Sequence, residues 1–190
     1  MTAGPSLSFR EMLQGYLGDG PDHESAWADG RRRGQTFRYR ALATISDLAA
    51  FEGDQEHPVA LEGTVDYPPL GLGLPLGGGL MNLFIERPPG RRILYRLPFE
   101  APGRHFVLVG EKRLAGKRRW REMTTLYAEL YHLVGQGDPL GEPVARGILR
   151  VPLRVALALP LTMRSPGRSP IVGLGAAARF LWFSARSLRR

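Results

Sequence analysis

From Thr36 to Ile45 the chain reads TFRYRALATI, and Phe37, Tyr39, Ala41, Ala43 and Ile45 fall on one side of it. A period of two is that of a half-buried strand. The same period runs through Pro58–Asp66, where Val59, Leu61, Gly63 and Val65 share a face. Three more runs follow: Leu80–Glu86, Arg92–Phe99 and His105–Lys112. They are separated by ERPPG and EAPGR, loops of hairpin length rich in Pro and Gly. Strands this close in sequence pair antiparallel, because parallel neighbours need crossovers of roughly a dozen residues or more.

The remaining segments are less uniform. Phe9–Leu17 reads as a strand or a helical turn, and Gly18–Gly34 as a polar loop. Ser46 and Asp47 look like an N-cap for the short helical piece DLAAF. Thr124–Val134 (TTLYAELYHLV) carries both periods: Leu126, Leu130 and Leu133 have helical spacing, while Tyr127, Glu129 and Tyr131 alternate with apolar neighbours. The hairpin-like sequel GQGDPLGEP and the short run Val144–Val151 favour a strand. The count is then about eight strands, which predicts a mainly β fold, an antiparallel barrel or sandwich.

Beyond the strands the pattern changes. In RVPLRVALALPLTMR every second residue from Val151 to Leu161 is apolar, but Pro152 and Pro160 bar a central strand, so strand and helix both stay open for 152–163. From Ser169 the chain reads SPIVGLGAAARFLWFSARSLRR. Ser169 can cap a helix that starts at Pro170. On that helix Arg179, Arg186 and Arg190 share one face, and Ile171, Leu174, Ala178, Leu181 and Trp182 gather on another. The expected organisation is a β domain over 1–164 and a basic amphipathic helix over 165–190.

Charge sharpens this division. Of 26 basic and 18 acidic residues, nine arginines and one acid, Glu142, lie in residues 141–190. That segment therefore carries the whole net charge of +8, and residues 1–140 balance. The high isoelectric point thus gives no reason to place a nucleic-acid face on the β domain. A cationic helix with aromatics near its polar boundary suits an anionic membrane surface; packing on its own domain or on a partner is the competing reading. The chain shows no charged leader with a signal-peptide core, and its longest apolar run, Pro170–Phe183, is broken by Arg179. The expectation is a cytoplasmic protein with peripheral membrane attachment.

Familiar chemistry is mostly excluded. The 190 residues include no cysteine, which rules out disulfides and thiolate metal sites. The glycine-rich run YPPLGLGLPLGGGLMNLF, residues 67–84, leads into a strand rather than a helix and lacks a following Lys-Ser or Lys-Thr. It therefore reads as a turn or kink, not a phosphate loop. His23, His57, His105 and His132 have no metal-ligand spacing. Glu11, Glu62, Asp66, Glu100 and Glu111 read as a solvated strand face rather than a carboxylate pair. Lys112, at a strand end in VGEKRL, reads as an exposed edge lysine with a ligand-facing cation as the alternative. Gly116–Arg119 before Trp120 reads as a solvated basic loop rather than a nucleic-acid surface.

Several pieces taken in order carry a family resemblance: FREMLQGYL, LEGTVDYPPL, GGGLMNLFIE, RRILYRLPFE, VGEKRL, Trp120 with MTTLY, VARGILRV and LTMR. Together they resemble an accessory domain of bacterial cholesterol-oxidase-like proteins, which carry a glucose–methanol–choline flavin oxidoreductase module. The resemblance spans most of residues 8–164. It implies a strand at MTTLY and a companion domain acting near sterols or other lipids. The flavin module is absent, and Val155-Ala156 and Met123 stand where the family has acidic residues, so the resemblance implies no oxidase activity and no cofactor.

The expected function is a non-catalytic domain that binds or presents a lipid or sterol at the membrane surface. Met12, Tyr16, Phe37, Tyr39, Leu83, Phe84, Tyr95 and Phe106 are the candidate ligand-lining residues. Arg179, Phe180, Trp182, Phe183, Arg186 and Arg190 are the candidate membrane or partner contacts. Two alternatives remain: an interaction subunit of a separately encoded oxidoreductase or hydrolase, and a small enzyme acting on a lipid-like substrate.

Overall fold

The computed structural model describes residues 4–114, 119–133, 141–167 and 169–189. Eight strands run up and down in chain order and close on themselves: β1 (Leu7–Gly18), β2 (Thr36–Ile45), β3 (Pro58–Tyr67), β4 (Gly71–Arg87), β5 (Gly90–Ala101), β6 (Arg104–Leu114), β7 (Thr125–His132) and β8 (Ala145–Arg150). Every neighbouring pair is antiparallel, and β8 returns to pair with β1. Closure decides between barrel and sandwich. It leaves no open sheet edge, so all eight strands hydrogen-bond on both sides.

The period-two residues face inward as expected. On β2, Phe37, Tyr39, Ala41, Ala43 and Ile45 are all buried. Of Thr124–Val134, Thr125–His132 is a strand with Leu126, Ala128 and Leu130 as its inward set; Val134 lies outside the described residues. The glycine-rich run turns and then kinks the chain, as expected: Pro68, Pro69 and Leu70 form the turn from β3 to β4. Its glycines belong to the first half of β4, which is kinked: the register against β5 shifts between Leu76 and Leu80. A second irregularity follows at Leu83–Phe84, where two residues of β4 oppose one of β5. Phe84 has a φ of 56°, rare for a bulky residue, and the bulge turns Leu83 and Phe84 both toward the core.

Among the described residues there are also five helices: α1 (His23–Arg32), α2 (Leu48–Gly53), α3 (Arg119–Thr124), α4 (Leu153–Thr162) and α5 (Pro170–Arg189). The first corrects the reading of Gly18–Gly34 as a loop. Asp22 and Ser25 form a reciprocal capping box, and Trp27 packs edge-on against Tyr16 outside the barrel. Helix α2 is the expected DLAAF piece, with the Asp47 carboxylate accepting from the Ala49 and Ala50 amides. The 152–163 segment is helical, with Pro152 at its N-cap. Residues 116–118 of the basic run lie outside the described residues.

Helix α5 begins at Pro170 as expected, but a third face attaches it to the barrel. Ala176 and Phe180 are buried in the common core, and Phe183 packs against Phe51, His57 and Phe84. Arg179 is clamped by both oxygens of Glu52, at 2.7 and 2.8 Å. Not all of the basic surplus sits on this helix, since Arg146 and Arg150 belong to β8.

Candidate functional site

The inward parity of β1 reads Leu7, Phe9, Glu11, Leu13, Gly15, Leu17; that of β6 reads Phe106, Leu108, Gly110, Lys112. One charged residue interrupts each apolar series. The closed barrel brings the two together across its interior, with Lys112 Nζ 3.4 Å from Glu11 Oε1. Their side chains are 5% and 10% exposed respectively. The Tyr39 hydroxyl donates to Glu11 Oε2 at 2.6 Å, and the Tyr95 hydroxyl donates to Oε1 at 2.7 Å. The Glu11 carboxylate thus accepts from two hydroxyls and an ammonium, which is what a buried carboxylate requires. Lys112 Nζ also lies 4.9 Å from the Tyr95 ring centre, over its electron-rich face.

Both readings of Glu11 and Lys112 as solvated residues are therefore overturned. Glu62 and Glu100 are exposed, and Asp66 meets exposed Arg40 on the outside of the barrel; of that acidic set, Glu11 alone enters the core. The signal was parity. Each residue falls in step with the buried side of its own strand.

This cluster forms the floor of a chamber of about 230 Å³ at one end of the barrel. The walls are apolar and include Phe9 of β1, the bulge residues Leu83 and Phe84, Ile93 of β5, Met123 of α3, and Val155 and Leu159 of α4. Helix α5 closes it with Phe180 and Leu181. Trp120 and Leu181 both line the chamber and reach solvent, marking its mouth. A larger cleft of about 780 Å³ on the other side of α5 is open and polar, lined by Glu52, Glu56, Arg91 and Arg186 among others.

Burial dominates the electrostatics of the floor. It pushes the Tyr39 and Tyr95 hydroxyls well above the usual tyrosine value of 10, and the adjacent Glu11 charge pushes them the same way. Burial pushes the Lys112 amine below the usual 10.5, and the Glu11 charge opposes it in part. A tyrosine whose folded pKa exceeds its unfolded value binds its proton more tightly when folded. Its stabilising contribution is complete below pH 10 and is lost as pH rises through the folded value. Alkaline titration followed by tyrosinate absorbance should accordingly leave Tyr39 and Tyr95 silent in the native barrel. Their signal should appear together with loss of the folded circular-dichroism spectrum. Ionisation of all six tyrosines while the barrel stays folded would contradict this placement.

The eight expected lining residues divide by position. Leu83, Phe84 and Tyr95 line the chamber, and Tyr39 holds Glu11 from behind. Phe37 and Phe106 lie inside the barrel but pack on Phe99 away from the chamber, with Phe106 stacked on it at 5.8 Å. Met12 and Tyr16 do not line it at all, because their parity on β1 points them outward. Of the expected tail contacts, Phe180 is buried and Phe183 half-buried, while Trp182 is 63% exposed beneath the Arg186 guanidinium. Arg190 lies outside the described residues. The chamber offers N–H donors from Lys112 and a carboxylate acceptor from Glu11 at the end of an apolar pocket. Among the described residues no three His, Asp or Glu side chains converge to hold a metal ion. No protein-family model, curated protein or solved structure matches this chain.

Proposed function

We propose that the protein takes up a single-chain, lipid-like molecule, polar end first, into the chamber at the barrel end, and does so at an anionic membrane surface. The observation that carries this reading is an apolar pocket of about 230 Å³ that ends on a buried Glu11–Lys112 pair. Burying an ion pair costs several kcal/mol unless other groups satisfy it. A polar ligand group gives that cost a purpose. The volume lies below the roughly 300–1,000 Å³ of pockets that enclose a drug-sized molecule, which favours one acyl chain over a whole sterol. The resemblance to accessory domains of cholesterol-oxidase-like proteins points the same way, toward a lipid context.

The surroundings of the chamber suit a membrane. Helix α4 turns Val155 and Leu159 inward but leaves Leu153, Leu157 and Leu161 60–75% exposed, one above the other at helical spacing. Helix α5 leaves Ile171 84% and Leu174 74% exposed. Exposed Arg154 follows Leu153 on α4, and exposed Arg186 lies over Trp182 toward the far end of α5. Apolar side chains flanked by arginine are the composition of a surface that rests on anionic headgroups. Among the described residues no helix is long and apolar enough to cross a membrane.

The test is uptake of tritiated 1-dodecanol from vesicles of phosphatidylcholine and phosphatidylglycerol, read as label comigrating with the protein and as protein pelleting with vesicles. The wild type should do both. Ala156→Trp, which fills the chamber, should still pellet but lose uptake about tenfold or more. Leu157→Glu with Trp182→Ala should lose pelleting, since a carboxylate replaces an apolar contact and is repelled by the anionic headgroups. Equal uptake by the wild type and Ala156→Trp would remove the chamber from the reading, and equal pelleting by all three proteins would remove the membrane.

A further inference from the structure

We infer that the Lys112 amine is an attachment point for a carbonyl compound, condensing with an aldehyde or ketone at the polar end of the ligand to give an imine and one water. The inference rests on the chamber reading and names the chemistry of its ligand.

Composition gives the first argument. The chain holds 24 arginines and two lysines. Arginine is the better partner for a buried carboxylate, because its planar fork binds both oxygens and is more weakly hydrated. Yet the buried cation facing Glu11 is a lysine. What lysine offers that arginine cannot is a nitrogen that loses its proton and becomes a nucleophile.

Position gives the second. Lys112 is 4% exposed, and it lines the chamber. Its hydrogen-bond partner is Glu11 Oε1, which leaves N–H positions for a ligand. Burial lowers the Lys112 pKa and so eases loss of its proton, with the Glu11 charge opposing this in part.

The third is the identity of the neighbours. A carboxylate or phosphate head would be set beside the Glu11 carboxylate as well as the lysine, and the pair offers it no net charge. Arg10 also borders the chamber, but it lies on the outward parity of β1 with its side chain in solvent. A neutral carbonyl avoids that repulsion. Glu11 takes a proton from the Lys112 ammonium, and the Nζ lone pair forms a bond to the carbonyl carbon. The C=O π pair moves to oxygen, which takes a proton from the attacking nitrogen to give a carbinolamine. The C–O bond then breaks, water leaves with the proton returned by Glu11, and the nitrogen lone pair closes C=N as a protonated imine beside the Glu11 carboxylate, free to lose its last proton. No atom changes oxidation state, so no redox partner enters. The Tyr95 hydroxyl, on the same carboxylate oxygen, holds that oxygen in place while it gives and takes the proton.

The test uses the full-length protein, dodecanal as the probe and sodium cyanoborohydride to reduce any imine to a stable secondary amine. Peptide mapping by mass spectrometry locates the label, with Lys117 and the α-amine as internal comparisons. Lys112 should be labelled at least about tenfold faster than either, a modest share of the gain that holding reactants side by side supplies. Lys112→Arg should lose that label while Lys117 and the α-amine keep theirs. The wild-type map decides the matter even if this variant fails to fold. Label confined to Lys117 and the α-amine, with dodecanal still displacing dodecanol, would overturn the inference and leave the chamber reading standing. If dodecanal neither labels Lys112 nor displaces dodecanol, both fall.

Discussion

Glu11→Ala should destabilise the barrel by about 3–5 kcal/mol at neutral pH, the usual cost of removing one partner of a buried ion pair. The substitution strands the Lys112 ammonium behind 5% exposure and takes away the acceptor of two tyrosine hydroxyls. The loss should shrink with rising pH. Without its counter-charge, Lys112 has a folded pKa further below its unfolded value. Its penalty is therefore full below the folded value and is relieved as pH climbs toward the ordinary lysine range, where the unfolded chain also gives up the proton. Urea unfolding at neutral and mildly alkaline pH measures both effects. The double variant Glu11→Leu with Lys112→Met should recover part of the loss: an apolar pair removes the stranded ammonium, while the Tyr39 and Tyr95 hydroxyls still lack their acceptor. A single-variant loss under about 1 kcal/mol, unchanged by pH, would mean that the pair is solvated and that the chamber floor is not dry.

The same pair shows what the pattern of residues could and could not disclose. Inward parity on β2 and β3 is written in uninterrupted apolar alternation, so those strands and their buried faces are legible. The hairpin loops fix antiparallel order, and a count near eight permits a barrel. What decides closure is a pairing between β1 and β8, some 130 residues apart, and no local signal encodes it. Glu11 and Lys112 are legible only if parity is allowed to outrank polarity. A charged residue in step with the buried side is ordinarily read as a solvated one, and that prior is sound until a partner is in reach. The partner lies 101 residues away. Helix α4 illustrates the opposite difficulty. Every second residue from Val151 to Leu161 is apolar, which imitates a strand, because the helix carries apolar side chains on both its inner and its outer face. Helix α1 stayed hidden because it is polar and short, held by its cap and by Trp27 rather than by an apolar stripe. The mouth of the chamber was the least legible part, since it is built from three helices and a bulge that meet only in the closed barrel.

Gly147→Val should cost about 3 kcal/mol, at the top of the range for forcing added volume into a packed interior. A Cβ at Gly147 would stand 2.0 Å from the Tyr16 carbonyl oxygen, and one at Gly15 would stand 2.0 Å from the Ile148 carbonyl oxygen. Both obstacles are backbone, so neither can swing aside as a flexible side chain would. Both lie on the seam, where Leu17 pairs with Gly147 and Gly15 with Leu149. Relieving the clash means moving β8 from β1, and that opens the barrel. Two long edges would then be exposed for pairing with other chains, so the variant should lose soluble yield as well as stability. Gly77→Ala is the matched control. It adds a methyl group on β4 where nothing lies within 4 Å and φ needs no left-handed residue, and it should fall within about 0.5 kcal/mol of the wild type. Urea midpoints and yields of the two variants, measured together, separate a seam that depends on bare backbone contact from a barrel that merely contains many glycines. Equal stability for both would show that β1 and β8 have room to spare and that closure does not depend on Gly147.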